Sequence, residues 1–155
     1  MTEVSYPFDG SAVDELAWAR MARMFASDGI PPGTPSITLG TGLSFVVPVG
    51  FEAMVRGVRY AVETSALTKT EAVTNSNSNP RIDRLVLRTT YASNATIAAI
   101  KRGTPGSSPS VPALQQDDSV YEIGVAYATC PGVASAQNYS NLVLEPIWTD
   151  IGAWV

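Results

Sequence analysis

Between Asn79 and Ile123 the chain alternates β-forming runs with segments that cannot be regular, and that order restricts the folds open to it. Arg81-Ile82-Asp83-Arg84-Leu85-Val86-Leu87-Arg88 is charged yet strongly β-type. Ala92-Ser93-Asn94-Ala95 supplies a turn, and Thr96 to Lys101 reads as the return strand. Pro105, Pro109 and Pro112 then sit among serines and glycines, too closely spaced for any helix or ladder, so this connector stays extended on the surface, as an internal crossover between sheets or else as a strap over a neighbour. Val120-Tyr121-Glu122-Ile123 opens another strand. Strand, turn, strand, long connector, strand is the layout of a β-sandwich or barrel. Before it, Asn75 to Pro80 has turn chemistry throughout and is expected to be a surface loop that buries nothing.

Period-two alternation assigns faces within these strands. Ile82, Arg84, Val86 and Arg88 share one face, and Asp83, Leu85, Leu87 and Thr89 the other. Neither is purely polar, so the strand lies centrally in its sheet or is covered by another subunit. The arginines at 81, 84 and 88 are expected to pair across strands with Asp83 and Glu63 on a wet face, each pair contributing ~0.2–1 kcal/mol. A sharper alternative has Arg84 and Arg88 reaching an acidic partner. From Val120 to Ala128, Tyr121, Ile123, Val125 and Tyr127 are expected on one face, with Glu122 and Gly124 on the other.

Further strands are expected at Leu43 to Val49, along Ala53 to Glu63 as one alternating run, at Leu67 to Val73, and at Leu142 to Leu144. A helix is expected over 12–27, with Ser11 as N-cap and Asp14 completing a capping box. Gly29 reads as its C′ residue, and Pro31-Pro32 prevents continuation. Met21, Met24 and Phe25 lie on the apolar stripe of that helix, a face that packs on the chain's own core or on a partner. Trp148 and Trp154 fall in an apolar tail, where large indoles need cover from the body or from a neighbour. The expected division is a lead-in and helix over 1–30, a β domain over 31–145 and a tail over 146–155.

The middle third also resembles a known family. Asn79-Pro80-Arg81 leads into Arg81-Ile82-Asp83-Arg84-Leu85-Val86-Leu87-Arg88; Lys101 and Gly103-Thr104-Pro105 follow, then Pro112-Ala113-Leu114, Asp117-Asp118 and Tyr121-Glu122-Ile123. This series is similar to the β-sandwich modules of virion proteins in tailed bacteriophages, above all minor tail and baseplate proteins of phages infecting actinobacteria. Leu85 stands where those modules have valine, and after Cys130 no family pattern continues. The resemblance implies a mainly β fold: an antiparallel, jelly-roll-like β-sandwich with one N-terminal α-helix. It also implies a virion setting after synthesis in the bacterial host cytoplasm, with other virion proteins as partners. A homotrimer is expected by the same analogy.

Composition narrows the function classes. The net charge is −4, and the ten Lys and Arg are scattered, which argues against a nucleic-acid partner. No apolar run approaches the ~20 residues needed to cross a membrane, and Met1 to Val4 lacks the start of a signal peptide. With no histidine and one cysteine, Ser-His-Asp chemistry and a thiolate zinc site are out, and no metal or cofactor is expected. Cys130 reads as a buried, inert thiol. Asp117-Asp118 reads as a solvated acidic turn, and nothing brings Asp83, Glu63, Glu122 and Glu145 together as a glycosidase pair. The expectation is a non-enzymatic assembly protein of the tail or baseplate. Capsid decoration is the alternative within that class, and a carbohydrate or receptor-binding module using Tyr139 or Trp148 as stacking platforms is the alternative outside it.

Overall fold

A computed structural model of the chain describes Ala22, Ile147 and residues 26–93, 95–133 and 137–145. These residues form a mainly β protein with nine strands: β1 (Thr38–Leu39), β2 (Ser44–Val47), β3 (Glu52–Val55), β4 (Val58–Ala61), β5 (Leu67–Thr70), β6 (Arg81–Thr90), β7 (Ala95–Lys101), β8 (Val120–Cys130) and β9 (Ser140–Leu144). Every strand pairing is antiparallel. The strands are arranged in three sheets, ordered β1-β2-β5, β3-β4 and β7-β6-β8-β9.

β6 is the central strand, as its two-sided apolar pattern requires. It pairs with β7 from Arg84 to Thr90 and with β8 along its whole length. On its inner face Leu85 and Leu87 meet Ala98, Ile123, Val125 and Ala126, and the small sheets close over them with Phe45, Val47, Phe51 and Val55. Burying each of the large side chains contributes about 1.5–3 kcal/mol. The smaller sheets and the four-stranded sheet therefore share one core.

Four sequence expectations are corrected by how the strands meet. The run Ala53 to Glu63 is not one strand but a hairpin, β3 and β4, closed at Arg56-Gly57, where both residues have positive φ (54° and 81°). The expected strand Leu67 to Val73 stops at Thr70, because side chains take over the backbone. Glu71 accepts the Val73 N–H at 2.9 Å, and Arg81 takes the Val73 and Thr74 carbonyls. In β8 the register shifts between Leu85 and Val86, which face Ala126 and Gly124, so Val125 is the extra residue of a bulge. That extra residue moves Tyr127 onto the face of Arg84 instead of the face of Ile123. Finally, the connector between β7 and β8 joins two strands that both flank β6, so it crosses within one sheet and not between sheets.

The expected helix over 12–27 lies almost wholly outside the described residues, and with it Met21, Met24 and Phe25; Trp148 and Trp154 lie outside them too. At its expected end, Ala26 donates to the Ala22 carbonyl at 3.1 Å, a bond of helical spacing. Ser27 is not helical. Gly29, expected as a left-handed cap, has φ 144° and instead exchanges two 2.8 Å backbone hydrogen bonds with Met54.

Candidate functional site

The charged residues of β6 and β8 are organised in two layers, one on each side of the sheet. On the inner side, Arg81 and Asp83 share the parity of Leu85 and Leu87 and are buried with them. The wet face expected for these charges does not exist. Arg81 Nε donates to both Asp83 oxygens at 3.0 and 3.1 Å, and Nη2 adds a 3.0 Å bond. Tyr139 Oη–H donates to Asp83 Oδ2 at 2.8 Å, and the Gly103 N–H to Oδ1 at 2.9 Å. The Arg81 guanidinium reaches the Val73 carbonyl at 2.6 Å, tying β6 to the segment after β5. Such a pair is tolerable inside because each of its strongest donors and acceptors is matched. Burial lowers the basicity of Arg81, but the Asp83 carboxylate outweighs that effect and the net shift is upward. Tyr139 is therefore no exposed stacking platform: it is buried, its ring 4.8 Å from Phe45, and its phenol is pushed far up by burial and by Asp83.

The neighbouring loop is pulled into the same region. Asn75, expected at the surface, is buried. Its amide donates to the Asn79 and Pro131 carbonyls at 2.9 and 3.0 Å, and its N–H donates to Gln137 at 2.6 Å. Turn-forming chemistry marked the bend correctly but not its burial. Cys130 is buried, and burial pushes its thiol up, which leaves it protonated and inert.

On the outer side, the connector is strapped across the sheet. Glu122 is fully buried at the centre. Its carboxylate takes Arg88 Nε at 2.8 Å, Lys101 Nζ at 2.6 Å and the backbone N–H of Gln115 at 2.7 Å. Burial pushes the Glu122 carboxyl up, but Lys101, the Gln115 N–H and Arg88 prevail and hold it below its ordinary range. The Glu122 N–H donates in turn to the Gln115 carbonyl. Beside it, Arg84 grips Glu145 with two bonds of 2.8 and 3.0 Å, and its Nη1 donates to the Pro112 carbonyl at 2.8 Å. Glu145 is delivered by the β8 bulge, since its N–H donates to the Val125 carbonyl. Space for the pair comes from Gly124, where a Cβ would lie 2.6 Å from both Arg84 Nη2 and Glu145 Oε2. Arg84 and Arg88 thus have their partners within the chain, and those partners are Glu145 and Glu122, not Asp83 and Glu63. Glu63 instead pairs with Arg59 on the surface, at 3.1 Å.

A third cluster escaped the sequence reading. Arg56, at the tip of the β3–β4 hairpin, occupies the first positive-φ position of the turn, where Asn, Asp or Gly is usual. A non-glycine residue held there costs on the order of 1–3 kcal/mol. Three contacts hold it: its N–H donates to Asp28 Oδ1 at 2.5 Å, its Nε–H to Tyr91 Oη at 3.0 Å, and its guanidinium stacks 4.6 Å from the Tyr121 ring centroid. The signal was present as an X-Gly pair between two alternating runs, but arginine in the X position hid it.

Elsewhere, Asp117 caps its own turn, taking the N–H groups of Ser119 and Val120 and the Ser119 hydroxyl, and these bonds hold its carboxyl well below the usual range. A shallow apolar cavity of about 140 Å³ is lined by Ile30, Ile37, Phe51, Val125 and Leu144 among others. Among the described residues, no group of three or more Cys, Asp or Glu is placed to hold a metal ion, and no helix is long and apolar enough to cross a membrane. No protein-family model matches the chain, and comparison with curated proteins and with solved structures also gave no match.

Proposed function

We propose that this chain is a non-enzymatic structural protein of a tailed-phage virion, acting through protein–protein assembly as a minor tail or baseplate component. In this reading its sheets form an antiparallel, jelly-roll-like sandwich with one N-terminal α-helix. The stripe of Met21, Met24 and Phe25 and the indoles of Trp148 and Trp154 make the contacts between subunits. One observation carries the reading. The residues that bear the resemblance to phage modules are contacts of one another: Arg81 with Asp83, Gly103 with Asp83, Arg84 with Pro112, and Lys101 with Glu122. The motif is therefore a clamp that locks a strap onto a sheet. A shared clamp is what a family of rigid modules would keep, and it ties up the buried acids Asp83 and Glu122 in structural bonds.

Size-exclusion chromatography with light scattering tests the proposal on the full chain. A homotrimer is expected, at three times the 16.4 kDa chain mass. A stable monomer at micromolar concentration would count against intrinsic assembly.

A further inference from the structure

Among the described residues, Arg56 differs from the other arginines of this surface in having an end that none of them uses. Arg59, on the adjacent strand, has its guanidinium taken by Glu52 and Glu63, at 2.6 and 3.1 Å. Arg84 and Arg88 are committed to Glu145 and Glu122. Arg56 uses its backbone N–H for Asp28, its Nε–H for Tyr91, and its π face for Tyr121. Its Nη1 and Nη2 have no hydrogen-bond partner among the described residues, and the residue is partly exposed.

The plane of the guanidinium is thus fixed by stacking on one side and by a hydrogen bond at its inner nitrogen, while the four N–H donors of its outer edge have no partner among the described residues. A fixed, open fork of this shape matches the two oxygens of a carboxylate, and little freedom is left to lose when one binds. The backbone position adds to the argument, because a positive-φ turn has less strained choices than arginine. Asp28 lies beside the Arg56 N–H, so a singly charged oxyanion is repelled less than a dianion. We propose that Arg56 is a preorganised carboxylate receptor on which an acidic side chain of a partner protein docks. The identity of that occupant rests on the assembly reading above; carboxylate capture by the fork does not.

NMR of the full, uniformly ¹⁵N-labelled chain tests it, read at the Arg56 Nε–H and, in every variant, at the backbone N–H of Gly57 in the same turn, using acetate as the probe and chloride and inorganic phosphate as controls. The Arg56 Nε resonance should shift saturably with acetate and at least threefold more weakly with phosphate, while that of Arg59 stays in place. Arg56→Lys keeps the charge but loses the fork, and should weaken acetate binding at least tenfold. Arg56→Asn suits the turn, so the protein should stay folded with the response gone. An Arg56 signal that ignores acetate or answers chloride equally, or an Arg56→Lys protein that binds as the parent does, would overturn the receptor. A capped Gly-Glu-Gly peptide should bind at least as well as acetate; if acetate binds and the peptide does not, an acidic side chain is not the occupant. Light scattering on the same sample reads assembly independently, so an intact oligomer with a silent Arg56 would remove this inference alone.

Discussion

Replacing Asp83 with asparagine removes the charge that balances Arg81 inside the protein. The two side chains are 0% and 3% exposed, so water cannot take over the role. Asparagine keeps one acceptor oxygen and turns the other position into an N–H₂ group, facing donors from Arg81, Tyr139 or Gly103. Breaking one side of a buried ion pair costs about 3–5 kcal/mol, and a buried donor left without an acceptor adds about 1–3 kcal/mol. Against a total stability of about 5–15 kcal/mol for a domain, Asp83→Asn removes a large share of what holds the fold. At this size each kcal/mol lowers Tm by about 2–4 °C, so a fall of at least ~6 °C is expected. Urea unfolding followed by circular dichroism should show a lower midpoint at unchanged slope. Adding Arg81→Met to Asp83→Asn removes the stranded charge and should recover at least ~1.5 kcal/mol. A cost below ~1 kcal/mol for Asp83→Asn, or strict additivity in the double variant, would refute the reasoning that the pair is buried and interdependent.

Three other perturbations probe the remaining parts of the clamp. The Glu122 carboxyl is held below its ordinary value in the folded protein, so its contribution is complete above the unfolded value near ~4.3 and is lost as pH falls through the folded one. Tm should drop on acidification below about pH 4.3, more steeply for the parent than for Glu122→Gln, and equal slopes would remove Glu122 as the cause. The Tyr139 phenol is pushed far above its ordinary value, so its contribution is present below the unfolded value near ~10 and fades as pH rises beyond it. Absorbance at 295 nm should show one of the six tyrosines ionising only on unfolding, and Tyr139→Phe should abolish that late step. Gly124→Ala drives a methyl group into the Arg84–Glu145 pair and should cost about 1–3 kcal/mol in a urea titration, less when Arg84→Met is also present.

The strap gives these effects a common origin. A central strand has two faces to cover, and here one is covered by the small sheets and the other by the connector. The first cover is mostly apolar, while the second is fastened by Glu122 and Arg84 to backbone groups of Gln115 and Pro112. A connector rich in proline has few backbone donors to offer a sheet, so side-chain charges do the fastening. The same geometry accounts for the spacing of the motif residues. Lys101 closes β7, Pro112 and Gln115 cross the outer face, and Glu122 returns in β8 beneath them.

Local chemistry sufficed for the mainly β character of the fold and for the position of most strands. Period-two alternation, β-branched runs and proline punctuation placed β2, β6, β7, β8 and β9 within a few residues, because these preferences act between neighbours in the chain. Asp83 shares the parity of Leu85 and Leu87, yet its charge pointed to a wet face, and only the structure shows it buried. The identities of the ion pairs were decided only by the tertiary structure. Asp83 meets Tyr139 and Arg84 meets Glu145 across 56 and 61 residues, and no local pattern reports which strand comes to lie opposite which. The bulge at Val125 and the positive φ of Arg56 belong with them. Each exchanges a small local cost for a contact made far along the chain, so each becomes visible only once distant strands have paired.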